Sequence, residues 1–348
     1  MRECAIIATF DVKPAYSCIW FIHLNLSAFM TLLGMDLGGT KLAYALLSEK
    51  GKVLLKEHIG LGSRGSRDVG ELITNSVKTL LGSEKYGAIG SIGIAVPGIY
   101  HAGNGRVWAP NIHGWEDYPL LDEVKKVSGE TPVVIDSDRA CYILGESWQG
   151  NAKGCRDVIY MAVGTGIGAG IITDGKVLRG ANDIAGAVGW MALKKPYSEA
   201  YVPCGCFEHY ASGEGIASTA RMVLQEMKTY TGALRDIPSG ELNARDVFTA
   251  YVDDDPVAKE VIRLCIEFWG MAAANLVSIF NPVKIIFGGG LFGPATSLIP
   301  EIRREAAKWA QPISMQQVNF EFSALGNDAG VIGAAFLALK NARLNPST

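Results

Sequence analysis

The residues best equipped for chemistry begin at 32–41, Leu-Leu-Gly-Met-Asp-Leu-Gly-Gly-Thr-Lys. Glycine adopts positive φ readily and leaves no side chain over the backbone. The amides of Gly38 and Gly39, with the Thr40 hydroxyl and Lys41 beside them, can therefore face a phosphate. Asp36 precedes the turn, where a carboxylate can hold a hydrated Mg2+. A plain β-hairpin with a glycine turn uses the same residues. A second copy favours the phosphate reading. Residues 157–170 read Asp-Val-Ile-Tyr-Met-Ala-Val-Gly-Thr-Gly-Ile-Gly-Ala-Gly and carry another apolar run up to Gly164, Thr165 and Gly166.

An acid stands between these two turns. Residues 131–146 run Thr-Pro-Val-Val-Ile-Asp-Ser-Asp-Arg-Ala-Cys-Tyr-Ile-Leu-Gly-Glu, a strand that ends at Asp136-Ser137-Asp138 and a helix that starts there. Acids at such a junction often serve only as caps. Phosphoryl transfer, however, requires a carboxylate that accepts the acceptor hydroxyl's proton and aims its oxygen at the γ-phosphorus. Upstream, Pro110-Asn111-Ile112-His113-Gly114-Trp115 offers Asn111, which can both donate to and accept from sugar hydroxyls, or else forms a loop with a packed tryptophan.

Strands and turns must position these groups. The pattern predicts strands at 32–37, 42–48, 52–57 and 88–96, the last ending in Ala95-Val96-Pro97-Gly98. A helix near 67–82 is marked by Val69, Leu72, Ile73, Val77, Leu80 and Leu81 at helical spacing. The second half repeats the order, with strands near 157–163, 167–173 and 176–179, the last two joined by Asp174-Gly175, a strong hairpin signal. Helices at about 206–228 and 256–280 follow, then a strand at 283–287 that runs into Gly288-Gly289-Gly290. Both glycine turns thus join strand to strand. That excludes a P-loop, which needs GxxxxGK[ST] and a following helix. It also argues against a dinucleotide fingerprint, which must open a helix, whereas Gly164, Gly166 and Ala169 open a strand.

The expected architecture is an α/β fold of two lobes built from a duplicated mixed-sheet unit, with the ligand in the cleft between them. The first lobe spans 30–135 and the second 136–328, with a closing helix near 329–342 available to pack back on the first. That helix follows Gly326 in the run Ala324-Leu-Gly-Asn-Asp-Ala-Gly330, and its small residues call for a close neighbour. Segment 230–256, polar and holding Pro238 and Asp253-Asp254-Asp255, reads as a surface excursion; 343–348 reads as a frayed tail.

Composition narrows the function classes. The chain has 348 residues, about half of them apolar, and a net charge of −3. With no long basic run, nucleic-acid binding has little support. Seven scattered cysteines, an odd number, fit a reducing cytoplasm better than a disulfide framework. Tyr16 to Leu33 is largely apolar but is a poor signal peptide and a marginal membrane span; no membrane partner is expected. Met30 stands immediately before the first motif strand, so residues 1–29 are expected to lie outside the fold.

In number and order, the motifs resemble the ROK family of repressors, open reading frames and sugar kinases. The resemblance runs from about 32 to 340 and rests on Asp36-Leu-Gly-Gly-Thr-Lys41, Val96-Pro-Gly98, Pro110-Asn111…Gly114-Trp115 and Ser137-Asp138…Leu144-Gly-Glu146. It continues through Gly164-Thr-Gly-Ile-Gly168, Leu178-Arg-Gly-Ala-Asn182, Gly205-Cys-Phe-Glu208, Gly288-Gly-Gly290 and Gly326-Asn-Asp-Ala-Gly330. It implies an actin-like, hexokinase-like fold closing on ATP-Mg2+ and a sugar, in a homodimer. Position by position, it implies Asp138 as catalytic base and Asn111 and Glu208 as sugar ligands. Gly38–Lys41 and Gly164–Gly166 become phosphate loops, Gly288–Gly290 the nucleoside side, and Asp36 the residue that orients the metal.

Three departures stand out. The family usually has Glu at 187 and His at 190, holding the sugar near its anomeric end; this chain has Ala187 and Trp190. The usual zinc loop, CxCGxxGCxE, is shortened to Val202-Pro-Cys204-Gly-Cys206, a poor tetrahedral site, so no structural zinc is expected. Ser137-Asp138-Arg139 stands where Asn-Asp-Ala is more usual. Trp190 can stack on a sugar face or an aglycone, or fill the space of the shortened loop. A sugar altered at C1 or C2 becomes conceivable. The expected activity is ATP-dependent phosphorylation of a sugar hydroxyl, foremost the 6-hydroxyl of a hexose. Alternatives are a non-catalytic sugar sensor and a repressor, for whose helix-turn-helix domain residues 1–29 are too short and apolar.

Overall fold

A computed structural model describes residues 30–344. The expectations for residues 1–29 and for the tail past 344 lie outside the described residues.

The first lobe grows from a strand buried on both faces. β1 (Thr31–Leu37) is apolar at nearly every position, as a central strand must be. The Gly38–Gly39 turn returns the chain as β2 (Lys41–Ser48), and the Gly51 turn adds β3 (Val53–Gly60), whose exposure marks a sheet edge. Helix α1 (Ser66–Leu81) crosses over to β4 (Ile89–Val96). A hairpin of β5 (Ile99–His101) and β6 (Arg106–Trp108), then α2 (Leu120–Ser128), lead to β7 (Val133–Ser137) and α3 (Asp138–Gln149). The sheet order is β3-β2-β1-β4-β7, antiparallel over the meander and parallel from β1 through β4 to β7.

The second lobe repeats this plan. β8 (Val158–Val163), β9 (Ile167–Thr173) and β10 (Lys176–Val177) form the meander. Asp174 and Gly175 both take positive φ, 49° and 75°, as a two-residue hairpin turn of the mirror-image type requires. The helical layer is α4 (Cys206–Ala211), α5 (Gly213–Glu226), α6 (Ala233–Asp236), α7 (Ala244–Val252) and α8 (Pro256–Phe280). Then come β11 (Lys284–Gly288), α9 (Ile299–Ala306), α10 (Pro312–Gln317), β12 (Asn319–Phe322) and the closing helix α11 (Ala329–Leu344). The sheet order, β10-β9-β8-β11-β12, matches the first, so the duplication expected from the motifs is the architecture of the fold.

Two expectations need correction. The helix predicted at 206–228 is broken at Ser212, whose side chain accepts from the Gly215 amide (3.1 Å) and caps α5. Segment 230–256 is not a surface excursion. It holds α6 and α7, and Leu234, Leu242, Val247 and Phe248 are buried in the second lobe's core. Its polar residues are largely caps: Asn243 and Asp246 form a reciprocal capping box at the start of α7.

The lobes meet through two helices. α3 leaves β7 of the first sheet and packs on β8 and β9 of the second, while α11 leaves the second lobe and packs on β1 and β4 of the first. The helices also pack on each other, and glycines permit the approach. A Cβ on Gly333 would run into the Cys141 carbonyl, and one on Gly145 into the Ala329 carbonyl.

Candidate functional site

The parallel strands β1, β4 and β7 end at the interlobe cleft, the usual place for a ligand in an open α/β sheet. Asp36 lies one residue from the end of β1, Pro97 just past β4, and Asp138 just past β7. From the second lobe come the β8–β9 turn and the turn after β11. Together they enclose a cavity of about 340 Å3, lined by Gly38, Gly39, Asn111, Asp138, Gly164, Thr165, Gly166, Glu208, Gly289 and Gly290. Ten residues that the sequence scatters over more than 250 positions therefore face one space.

Asp138 opens α3, with its Oδ1 accepting from the Arg139 amide at 2.7 Å and its Oδ2 from the Tyr142 hydroxyl at 3.4 Å. Burial raises its pKa above the ordinary carboxylate range; the Arg139 charge, that amide and Tyr142 pull it back. Sequence reading passed over Tyr142, although a residue four places on in a helix shares the acid's face. Glu208, in the first turn of α4, accepts from the Ile167 amide at 2.6 Å. Burial raises its pKa too, against that bond. A Cβ on Gly166 or on Gly189 would stand 2.9 Å from Glu208 Oε2, so both glycines make room for this carboxylate.

The glycine turns work differently from expectation. None of Gly38, Gly39, Gly164 and Gly166 has a left-handed backbone. Gly166 makes room for Glu208, whereas Gly39 and Gly290 leave open space, a Cβ on either touching nothing within 4 Å. The Gly38 amide is already taken by the Lys41 carbonyl (2.9 Å) and the Gly164 amide by the Gly166 carbonyl (2.9 Å). The Gly39 amide has no acceptor among the described residues, and Gly39 lines the cleft. Gly289 does need its positive φ of 88°, and it turns the chain past Val163. Gly288 is buried under the Tyr160 ring and lies off the cleft wall, as do Thr40 and Lys41 at the exposed edge.

Asp36 sits behind the phosphate turns. Its Oδ1 is buried and has no hydrogen-bond partner among the described residues. Its pKa is pushed up to about 7, first by burial and then by the Asp138 charge, with Lys41 opposing. An orphaned buried carboxylate oxygen calls for a missing partner, and a hydrated Mg2+ fits that need.

Trp190 does not line this cleft. It is 58% exposed and borders a separate cavity of about 450 Å3 with Lys194, Tyr197, Tyr201 and Val202. It neither faces the space occupied by Asp138 nor fills a buried gap, because the turn at 188–190 points its ring outward while its backbone packs on Gly205. Two further features escaped the sequence reading. Gly290 also borders a cavity of about 460 Å3 with Arg245, Phe248, Thr249, Val252, Leu291 and Pro294, a wall supplied by the segment misread as an excursion. Arg179 forms a two-pronged pair with Asp136, at 2.8 and 2.5 Å.

Comparison with known proteins agrees with this geometry. The sequence profile of the ROK family matches residues 32–341. A glucokinase of Halalkalibacterium halodurans is 34% identical over 88% of this chain and 94% of its own length. A ROK family glucokinase from Streptomyces griseus, solved with glucose and AMPPNP, superposes with a TM-score of 0.73 at 28% identity, covering 89% of this chain and all but 1% of its own (99% covered). A ROK family transcriptional regulator, a homolog of the E. coli MLC protein, superposes at 0.78 with 25% identity, over 90% of this chain and 78% of its own. With its duplicated lobes, its cleft acid and a family match over nearly its whole described length, this chain belongs to the ROK family.

Proposed function

We propose that the protein is an ATP-dependent sugar kinase with Asp138 as its base. One observation carries the reading: the half-buried Asp138 carboxylate shares the cleft with two glycine turns from opposite lobes and with the hydrogen-bonding side chains Asn111 and Glu208. The glucokinase relatives support a sugar as acceptor, and a glucokinase solved with AMPPNP supports ATP as donor.

In this reading the Gly39 amide and the Thr165–Gly166 turn hold the phosphates. The nucleoside extends past Gly289 and Gly290 toward α7. Asn111 and Glu208 orient the sugar. Asp138 accepts the proton of the acceptor hydroxyl, foremost a hexose 6-hydroxyl, as its oxygen bonds to the γ-phosphorus. The bond from that phosphorus to the β–γ bridging oxygen breaks, and ADP leaves. Mg2+ would neutralise phosphate charge there, with Asp36 aligning it through water, and Lys41 adds charge at the same edge. The reading extends to a cytoplasmic homodimer.

The test is ADP formation from Mg-ATP over a panel of hexoses, N-acetylhexosamines and β-glucosides, with Asp138→Asn beside wild type. Turnover on some sugar, lost by about 10²–10⁴-fold in the variant, is expected. Sugar binding without any ADP would replace the kinase with a sensor, a role for which the match to a transcriptional regulator provides a precedent.

A further inference from the structure

One cation on the cleft wall, next to Asp138 in the chain, has no task in the mechanism above. Arg139 lines the cavity and is half-buried. Its stem lies across Gly168, where a Cβ would stand 2.6 Å from Arg139 Cδ. Its Nη2 donates to the Gly98 carbonyl at 3.1 Å. This contact exhausts its hydrogen bonds among the described residues, and no carboxylate there forms an ion pair with it. The nearby acids make their hydrogen bonds elsewhere: Glu208 with the Ile167 amide, Asp138 with the Arg139 amide and Tyr142, Asp136 with Arg179, and Asp183 with the Ala102 amide. The neighbouring turn, Ala185-Gly-Ala-Val-Gly-Trp190, supplies no anion.

The Asp138 charge acts on this guanidinium only through space; most of its fork is left unbonded, and that planar fork matches a carboxylate two bonds at a time. The stem over Gly168 and the bond to Gly98 hold Arg139 on the wall of the same cleft that Asn111 and Glu208 line. We infer that Arg139 selects an acceptor carrying a carboxylate, a sugar acid, over the neutral sugar of the same skeleton. The inference rests on the kinase reading and names its substrate class.

Two ligand pairs test it, each keeping the primary hydroxyl: D-glucose against D-gluconate, its open-chain C1 acid, and N-acetylglucosamine against N-acetylmuramate, which carries a lactyl carboxylate on O3. Binding to the full chain is measured by calorimetry, and ADP formation by coupled assay. Arg139→Met keeps the stem over Gly168 and removes the fork. Wild type should prefer the acid in at least one pair by about tenfold or more, the worth of one charge-assisted hydrogen bond. In Arg139→Met the ratio of acid to neutral affinity should fall to about one, whatever the variant's affinity for the neutral partner. Wild type that binds neither acid better than its neutral partner overturns the inference, as does a preference that survives in Arg139→Met. A variant that loses ATP affinity and keeps the acid preference would assign the guanidinium to the phosphates and overturn it as well. Failure of the kinase reading looks different: the acid preference is present in binding, yet no sugar gives ADP.

Discussion

At the residue scale, burial raises the pKa of Asp138 while the Arg139 charge, the Arg139 amide and the Tyr142 hydroxyl restrain it. The consequence is a pH profile. As the base, Asp138 must be ionised in the free enzyme, so kcat/KM falls as pH drops through its pKa. That acid limb should lie above the ordinary carboxylate range. Removing the positive charge in Arg139→Met takes away a force that lowers the pKa, so the limb should move to higher pH, and Tyr142→Phe should move it the same way. Profiles of the three proteins on one sugar decide the matter; a limb unmoved in both variants means another group controls it. Asp138 itself is legible in the sequence from its position at a strand end between two glycine turns; the packing that sets its pKa is not. Trp190 shows the opposite case. Its ring chemistry suited a sugar face, but a short turn directs it outward, and no spacing rule reports where a turn aims a side chain.

Two helices set the precision of the site at the element scale, and their small residues are the visible trace in the sequence. Gly326 and the Ala-Gly run after it called for a close neighbour, and α11 finds β1 and β4. A Cβ on Gly34 would stand 2.8 Å from the Ala335 amide nitrogen and would run into the Val331 carbonyl. Backbone cannot step aside as a side chain does, so Gly34→Ala should cost about 1–3 kcal/mol or more and lower Tm, with activity falling as α11 lifts from the strand that carries Asp36. Gly39→Ala is the matched control: its Cβ meets nothing within 4 Å and its backbone is not left-handed. It should melt within about 2 °C of wild type and raise KM for ATP, because the added methyl projects where phosphate is to approach. Equal melting of the two variants would contradict the packing account. Helices α6 and α7 were illegible for a related reason. Their caps and exposed faces supply the polar signal, and the apolar residues they bury, Leu234, Val247 and Phe248, are too few to show a period.

The lobes of the whole molecule are joined by ties of unequal worth. Lys56 and Asp328 pair at 2.7 Å with side chains 48% and 40% exposed, and such surface pairs contribute little. The Asp183 carboxylate accepts from the Ala102 amide at 3.1 Å across the same boundary. Asp136 and Arg179 differ from both: the carboxylate, on the first lobe's last strand, is 5% exposed and held by two guanidinium nitrogens from the second. Without Arg179 the carboxylate would remain buried with only the Ser137 amide as donor, at 2.8 Å. Breaking a fully buried pair costs about 3–5 kcal/mol; because Arg179 is 40% exposed, Arg179→Met should cost less, on the order of 2 kcal/mol. The pH dependence identifies the cause. Burial already raises the Asp136 pKa against the pull of Arg179, and removing Arg179 raises it further. A carboxyl with a raised folded-state pKa binds its proton more tightly folded than unfolded. Its destabilisation is therefore absent below the unfolded pKa, grows as pH rises toward the folded pKa, and is complete above it. The Tm deficit of Arg179→Met should thus be largest near pH 8 and shrink toward pH 5. Asp136→Asn in the same chain removes the charge and should flatten that dependence. A deficit of one size at both pH values would mean that Arg179 contributes through the packing of its stem and not through the charge it covers.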